Sequence, residues 1–161
     1  MKISITQKQL STLMVEEEKY SNLENLRGYT FDWDDNILFM PTKIKVLYND
    51  NEIVYVTTEE FAELRHNPDY ELVKDSFKDF QDPIQFNKDI KIALQNKKYG
   101  PSFEKFKESL LYANPFAIIT ARSASPNTIK DGVKTFIGEV FTEDELEIML
   151  DNIKRNYKSI A

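Results

Sequence analysis

The chain has 161 residues, 41% of them hydrophobic and 30% charged, with a net charge of −6 and no cysteine. That length supports one domain with its own core, and the missing cysteines exclude a disulfide framework, a thiolate metal site and a Cys nucleophile. The acidic balance argues against a nucleic-acid binder, which needs a basic face against phosphate. No apolar run reaches membrane-spanning length and no signal-peptide core opens the chain. The expectation is a cytoplasmic, intracellular protein with no membrane segment.

Residues 1–27 carry Ile5, Leu10, Leu13 and Met14 at helical spacing, with Glu16-Glu17-Glu18 on the wet side. This predicts an N-terminal helical arm ahead of the main domain at 28–161. Gly28 to Asp32 predicts a first core strand. Lys43 to Val56 predicts a hairpin, its turn at Asn49-Asp50-Asn51. Thr57 or Thr58 caps a helix through about Arg65, and Asn67-Pro68-Asp69 stops it. His66, the single histidine, falls at that helix end and reads as a surface group. Tyr70 to Phe80 shows mixed periodicity. Asp82-Pro83 reads as a break and Ile84 to Asn96 as partly helical. Gly100-Pro101-Ser102 opens a helix carrying Phe103, Phe106, Leu110 and Leu111 at core spacing. Phe116 to Thr120 predicts a second core strand. Ser125 or Asn127 caps the next helix, which Gly138 ends. Thr142-Glu143-Asp144-Glu145 is a capping box for the last helix.

The informative stretch is Tyr29-Thr30-Phe31-Asp32-Trp33-Asp34-Asp35-Asn36. A β-prone run ends in three packed carboxylates. Acids this close raise one another's pKa unless a cation sits among them. Open α/β sheets place their chemistry at the carboxyl ends of their strands. The physical reading is a hard-metal site with Asp32 as a carboxylate nucleophile and Asp34 as a second acid. Trp33, between them, reads as a packing residue.

Asp32-Trp33-Asp34-Asp35-Asn36-Ile37-Leu38 resembles the first motif of the haloacid dehalogenase (HAD) superfamily, Asp-x-Asp-x-Thr/Val-Leu. Phe116-Ala117-Ile118-Ile119-Thr120-Ala121-Arg122-Ser123 resembles its second motif, an apolar strand ending in Thr or Ser. The resemblance implies an α/β fold: a HAD-like Rossmannoid three-layer core, with the hairpin as a flap over the site. The stretch between Asp32 and Thr120 is about twice what a simple crossover needs, so residues 57–99 would be a small helical cap insertion. The resemblance also implies a magnesium-dependent phosphohydrolase acting on a small phosphomonoester. Asp32 would form an aspartyl phosphate and Asp34 would serve as acid and base. Mg2+ would bind Asp32 and Asp34, the latter through its main-chain carbonyl. Thr120 would hold the phosphoryl oxygens and Arg122 would add positive charge.

The family's third motif, a lysine, and its fourth, a pair of acids ending a further strand, have no counterpart. Lys130 and Lys134 come too early in the family's order, and Glu143-Asp144 is better read as part of the capping box. The core sheet is therefore expected to be incomplete, with two parallel strands whose open edge a partner protein or second copy could cover. Three readings stand: the front part of a longer protein, a site completed by a partner, or a catalytically incomplete HAD-like domain with a structural or assembly role. The Lys/Asn/Ile/Tyr-rich composition resembles that of large-phage proteins, which would make such a domain a virion component.

Overall fold

The computed structural model describes residues 27–49 and 51–157. All of the expected N-terminal arm except Arg27 lies outside those residues. Among the described residues the fold is mixed α/β, with six helices, a two-strand parallel sheet and a three-strand antiparallel sheet. The chain forms two compact units. The larger comprises 31–104 and 118–141, and the smaller includes 105–117 and 142 onward. Strands β1 (Tyr29–Phe31) and β5 (Phe116–Ile118) form the parallel pair, and each passes from the smaller unit into the larger along the chain.

In the larger unit, β2 (Ile44–Tyr48) and β3 (Glu52–Val56) form the expected hairpin, registered Val46 to Val54. A third antiparallel strand, β4 (Tyr70–Leu72), joins the other side of β2. This resolves the mixed period of residues 70–80 into a short strand followed by helix α2 (Lys78–Gln81). Alternation puts Ile44, Val46 and Val56 on one buried face. Phe61 and Leu64 of α1 (Thr58–Leu64) and Phe80 pack against it. Thr57 is the N-cap of α1, in a full capping box with Glu60. Arg65 ends that helix, and exposed His66 accepts a hydrogen bond from Arg65 Nε at 3.1 Å.

Asp82 breaks the chain as expected, ending α2, and also opens helix α3 (Pro83–Gln95). Asp82 is its N-cap and accepts from the Ile84 and Gln85 amides, while Pro83 occupies the first turn. Proline lacks only an amide that has no helical partner there, so the pair starts the helix. Residues 57–99 lie wholly within the larger unit. Helix α3 packs against α5 (Pro126–Val140). Gly132 permits the approach: an added Cβ would lie 2.5 Å from Phe86 Cε1.

Ser125 caps α5 through the Thr128 amide. Gly138 does not end the helix, which continues to Val140. One helical glycine costs about 1 kcal/mol, less than packing elsewhere on the helix returns. The stop comes instead at Phe141, whose extended backbone leads into the Thr142 cap.

Gly100 lets two main chains touch. An added Cβ there would collide with the Asn36 carbonyl, and the Gly100 amide donates to Ile37 O at 3.0 Å. The loop after β1 is thereby fixed from behind.

The smaller unit is held by its own network. Helix α4 (Phe103–Leu111) contributes Lys107, which pairs with Glu145 of α6 (Glu143–Asn156) at 2.7 Å. Asn152 donates to Leu111 O, and Tyr157 to Ala113 O. The Thr142–Glu145 capping box forms as expected, and Glu143 and Asp144 sit exposed in the first turn of α6.

Candidate functional site

The site lies within the larger unit. Asp32 follows the last residue of β1, and Thr120 stands two residues beyond the end of β5. Ile119 donates to Phe31 O at 2.9 Å, so both segments leave neighbouring strands in the same direction. The backbone therefore places the two motif segments side by side.

Asp32 is exposed, and its Oδ1 accepts from the Trp33 amide at 2.7 Å. Burial pushes its pKa up most. The Trp33 hydrogen bond opposes this, and the charges of Asp34 and Asp35 add to the rise. Trp33 is fully buried, edge-on to Phe86 at 5.2 Å. The strand end thus alternates: the two acids face outward around an anchored indole. Asp35 takes a left-handed backbone, φ 58°, a conformation Asp tolerates better than most residues. Its carboxylate accepts from Thr58 Oγ1 of α1 at 2.9 Å.

Asp34 is the best-held acid. Arg122 Nε donates to its Oδ2 and Nη2 to its Oδ1, both at 2.7 Å, across 88 positions of sequence. The Arg122 side chain is almost fully buried. Such a charge needs a paired, hydrogen-bonded setting, and a forked Arg–carboxylate contact is the strongest available. The guanidinium also lies 4.8 Å from the ring centres of both Phe80 and Phe86, close enough for cation–π attraction. Thr120 Oγ1 accepts from the Arg122 amide at 3.2 Å. A hydroxyl accepting there still has its proton to donate.

Asp32, Asp34, Asp35 and Arg122 border a cleft of about 520 Å³, whose lining does not include Thr120. Asp32, Asp34, Asp35, Arg122 and Ser123 are among its polar lining residues, and Phe77, Phe80 and Ile44 among its apolar ones. Ile44, the first residue of β2, is the residue of the hairpin strands in that lining. The acids outnumber the cleft's arginine three to one, which makes it a better receiver of cations than of bare anions. Lys134 is exposed and pairs with Asp131 at 2.9 Å on α5.

The sequence reading missed Thr42, Gln85 and Asp89. Thr42 accepts from Arg122 Nη2 and donates to Asp89 Oδ2, each at 2.6 Å. Gln85 donates to Asp89 Oδ1 at 2.7 Å. A signal for Asp89 did exist. It falls three residues after Phe86 and four before Ala93, on the apolar stripe of α3, where an unpartnered carboxylate would not survive. Thr42 had no such signal.

Among the described residues, no group of three or more His, Cys, Asp or Glu side chains is gathered to hold a metal ion. Asp32 still offers a hard carboxylate in a crowd of negative charge, and both side-chain oxygens of Asp34 are taken by Arg122. Magnesium commonly takes one or two carboxylates and fills its other positions with water and ligand oxygens.

No protein-family model, curated protein or solved structure matches the chain, so the residues themselves carry the functional case.

Proposed function

We propose that the chain is a HAD-like phosphohydrolase domain that uses Asp32 as nucleophile on a small phosphomonoester. The supporting observation is the Arg122–Asp34 fork, which joins the two motif segments beside an exposed Asp32 in a cleft. The finer fold reading belongs to the same proposal: a Rossmannoid core reduced to two parallel strands, the β2–β3 hairpin as flap and residues 57–99 as a cap.

In this mechanism the Trp33 amide holds Asp32 Oδ1, and Oδ2 attacks phosphorus. The bond to the leaving oxygen breaks, and that oxygen takes a proton from Asp34. Water then attacks the aspartyl phosphate, giving its proton to Asp34 and releasing Asp32 and phosphate. To play this part Asp34 exchanges one Arg122 bond for the substrate oxygen. Burial, and after it the charges of Asp34 and Asp35, raise the pKa of Asp32 and make it a more basic nucleophile. Thr120 and Arg122 supply donors to the phosphoryl oxygens. Magnesium, held by Asp32 and the Asp34 main chain, would offset the repulsion between an acidic cleft and an anionic substrate.

Phosphate release from an aryl phosphate, with and without magnesium, tests this beside Asp32→Asn. The expected outcome is magnesium-dependent turnover that the substitution abolishes. No turnover by the folded chain in saturating magnesium would sink the hydrolase reading.

A second reading is a catalytically incomplete domain with a structural or assembly role, as in a phage virion. It is favoured by a specific observation: Arg122 occupies both oxygens of Asp34, the group that must carry the proton. On that reading a protein partner covers the edge of the two-strand sheet. A chain that binds magnesium but turns nothing over would support it.

A further inference from the structure

Asp89 is a buried carboxylate on α3 that the mechanism above does not use. It is 2% exposed, and it accepts hydrogen bonds from a hydroxyl and a carboxamide. We propose that Asp89 and Thr42 are positioning residues that lock the Arg122 guanidinium, leaving its remaining donor, Nη1, for an oxygen of an anionic ligand. The lock deepens the phosphohydrolase reading, and its consequence for turnover rests on that reading.

The hydrogen-bond inventory gives the lock a direction. Thr42 has one hydroxyl proton. Arg122 can only donate, so Thr42 Oγ1 must accept from Nη2 and spend its proton on Asp89. Asp89 accepts that proton on Oδ2 and the Gln85 amide on Oδ1. Gln85 and Asp89 are one turn apart on α3, so their bond follows the helix's own geometry. Remove the Asp89 acceptor and the Thr42 proton is free to turn toward Arg122, donor against donor.

The same helix also stacks on Arg122. Phe86, between Gln85 and Asp89, lies under one part of the guanidinium, and Phe80 of α2 is equally close at 4.8 Å. The group is fixed in its plane by Asp34 and Thr42 and held across that plane by rings. Three of its five N–H bonds, on Nε and Nη2, are directed at Asp34 and Thr42, and the other two lie on Nη1. Nη1 itself is buried without a hydrogen-bond partner. Leaving a buried charged donor unmatched costs stability, and a ligand oxygen brought to Nη1 would remove that cost. Arg122 is in that wall.

The test uses the full chain and reads the Arg122 side chain by NMR, through Nε–H exchange and the response of its Nη signals to inorganic phosphate in magnesium. Thr42→Val removes the hydroxyl at nearly constant shape and Thr42→Ser retains it. Asp89→Ala removes the acceptor and Asp89→Asn keeps one. Thr42→Val and Asp89→Ala should speed Nε–H exchange and weaken phosphate binding, each about tenfold, the lower range for losing an orienting group. Thr42→Ser and Asp89→Asn should stay close to the unsubstituted chain. That rescue separates positioning from bulk packing, and global stability is measured alongside for each variant. Unchanged exchange in Thr42→Val overturns the lock, as does exchange that follows global stability equally in all four variants. Phosphate that leaves the Arg122 signals of the unsubstituted chain unmoved overturns the ligand role of Nη1. None of these readouts needs turnover. An ordered, phosphate-responsive Arg122 in an inactive chain therefore supports the lock while refuting hydrolysis.

Discussion

Asp32 is an expensive residue for the fold to keep. Its pKa is raised chiefly by burial and further by Asp34 and Asp35, so the folded chain binds that proton more tightly than the unfolded chain does. The contribution of Asp32 to stability therefore falls as pH rises from the unfolded carboxylate value through the raised folded one. Asp32→Asn removes the charge and keeps an oxygen for the Trp33 amide. Its urea midpoint should exceed that of the unsubstituted chain at neutral pH, and the gain should disappear once pH falls below the unfolded value. A substituted chain less stable at neutral pH would contradict this account of the cluster. The outward acids were legible in sequence because Asp32-Trp33-Asp34 alternates about a strand end. The partner of Asp34 was not, because Arg122 lies 88 positions away and only the folded backbone brings it near.

At the scale of elements, two glycines of α5 make opposite predictions. An added Cβ at Gly138 meets nothing within 4 Å, so Gly138→Ala should stabilise the chain by about 1 kcal/mol through helix propensity alone. At Gly132 the same Cβ falls 2.5 Å from Phe86 Cε1 and 3.0 Å from Ile90 Cδ1. Overpacking there costs about 1–3 kcal/mol, enough to cancel or exceed the propensity gain, so Gly132→Ala should be neutral to destabilising. Denaturant unfolding of both variants checks the contrast, and an equal gain in both would refute it. The pair also shows why Gly138 misleads as a helix end. Glycine stops a helix when the chain turns there, and the turn is three residues later, where Thr142 offers a cap. Thr57, Ser125 and Thr142 were readable because a cap is a local bargain between one side chain and the next few amides. Asp82-Pro83 was readable as a break but not as a start, because the same dipeptide ends one helix and starts another. Strand β4 eluded the pattern because three residues are too few to show a period.

For the molecule as a whole, the net charge of −6 and the acids of the cleft set the terms of binding. A divalent cation should be welcome wherever Asp32 is ionised. Magnesium at about a hundred times its dissociation constant should add about 2.7 kcal/mol to folding stability by mass action. The rise in thermal midpoint should shrink or vanish in Asp32→Asn. An equal rise in both chains would place the ion elsewhere. The mixed α/β class, the hairpin and, among the described residues, the parallel pair of β1 and β5 were readable from local patterning. The buried Thr42–Asp89 contact could not be read that way, because polar residues on a loop or helix declare their burial only when tertiary structure closes over them.

Trp33 is the chain's sole tryptophan, fully buried, with Asp32 and Asp34 as its immediate neighbours. The protein therefore carries its own optical probe at the site, with no competing signal from another indole. Its emission should be blue-shifted and shielded from aqueous quenchers while the strand end is intact. An ion or ligand that changes the field between the two acids can be followed by that one fluorophore, without labelling and at concentrations far below those NMR requires.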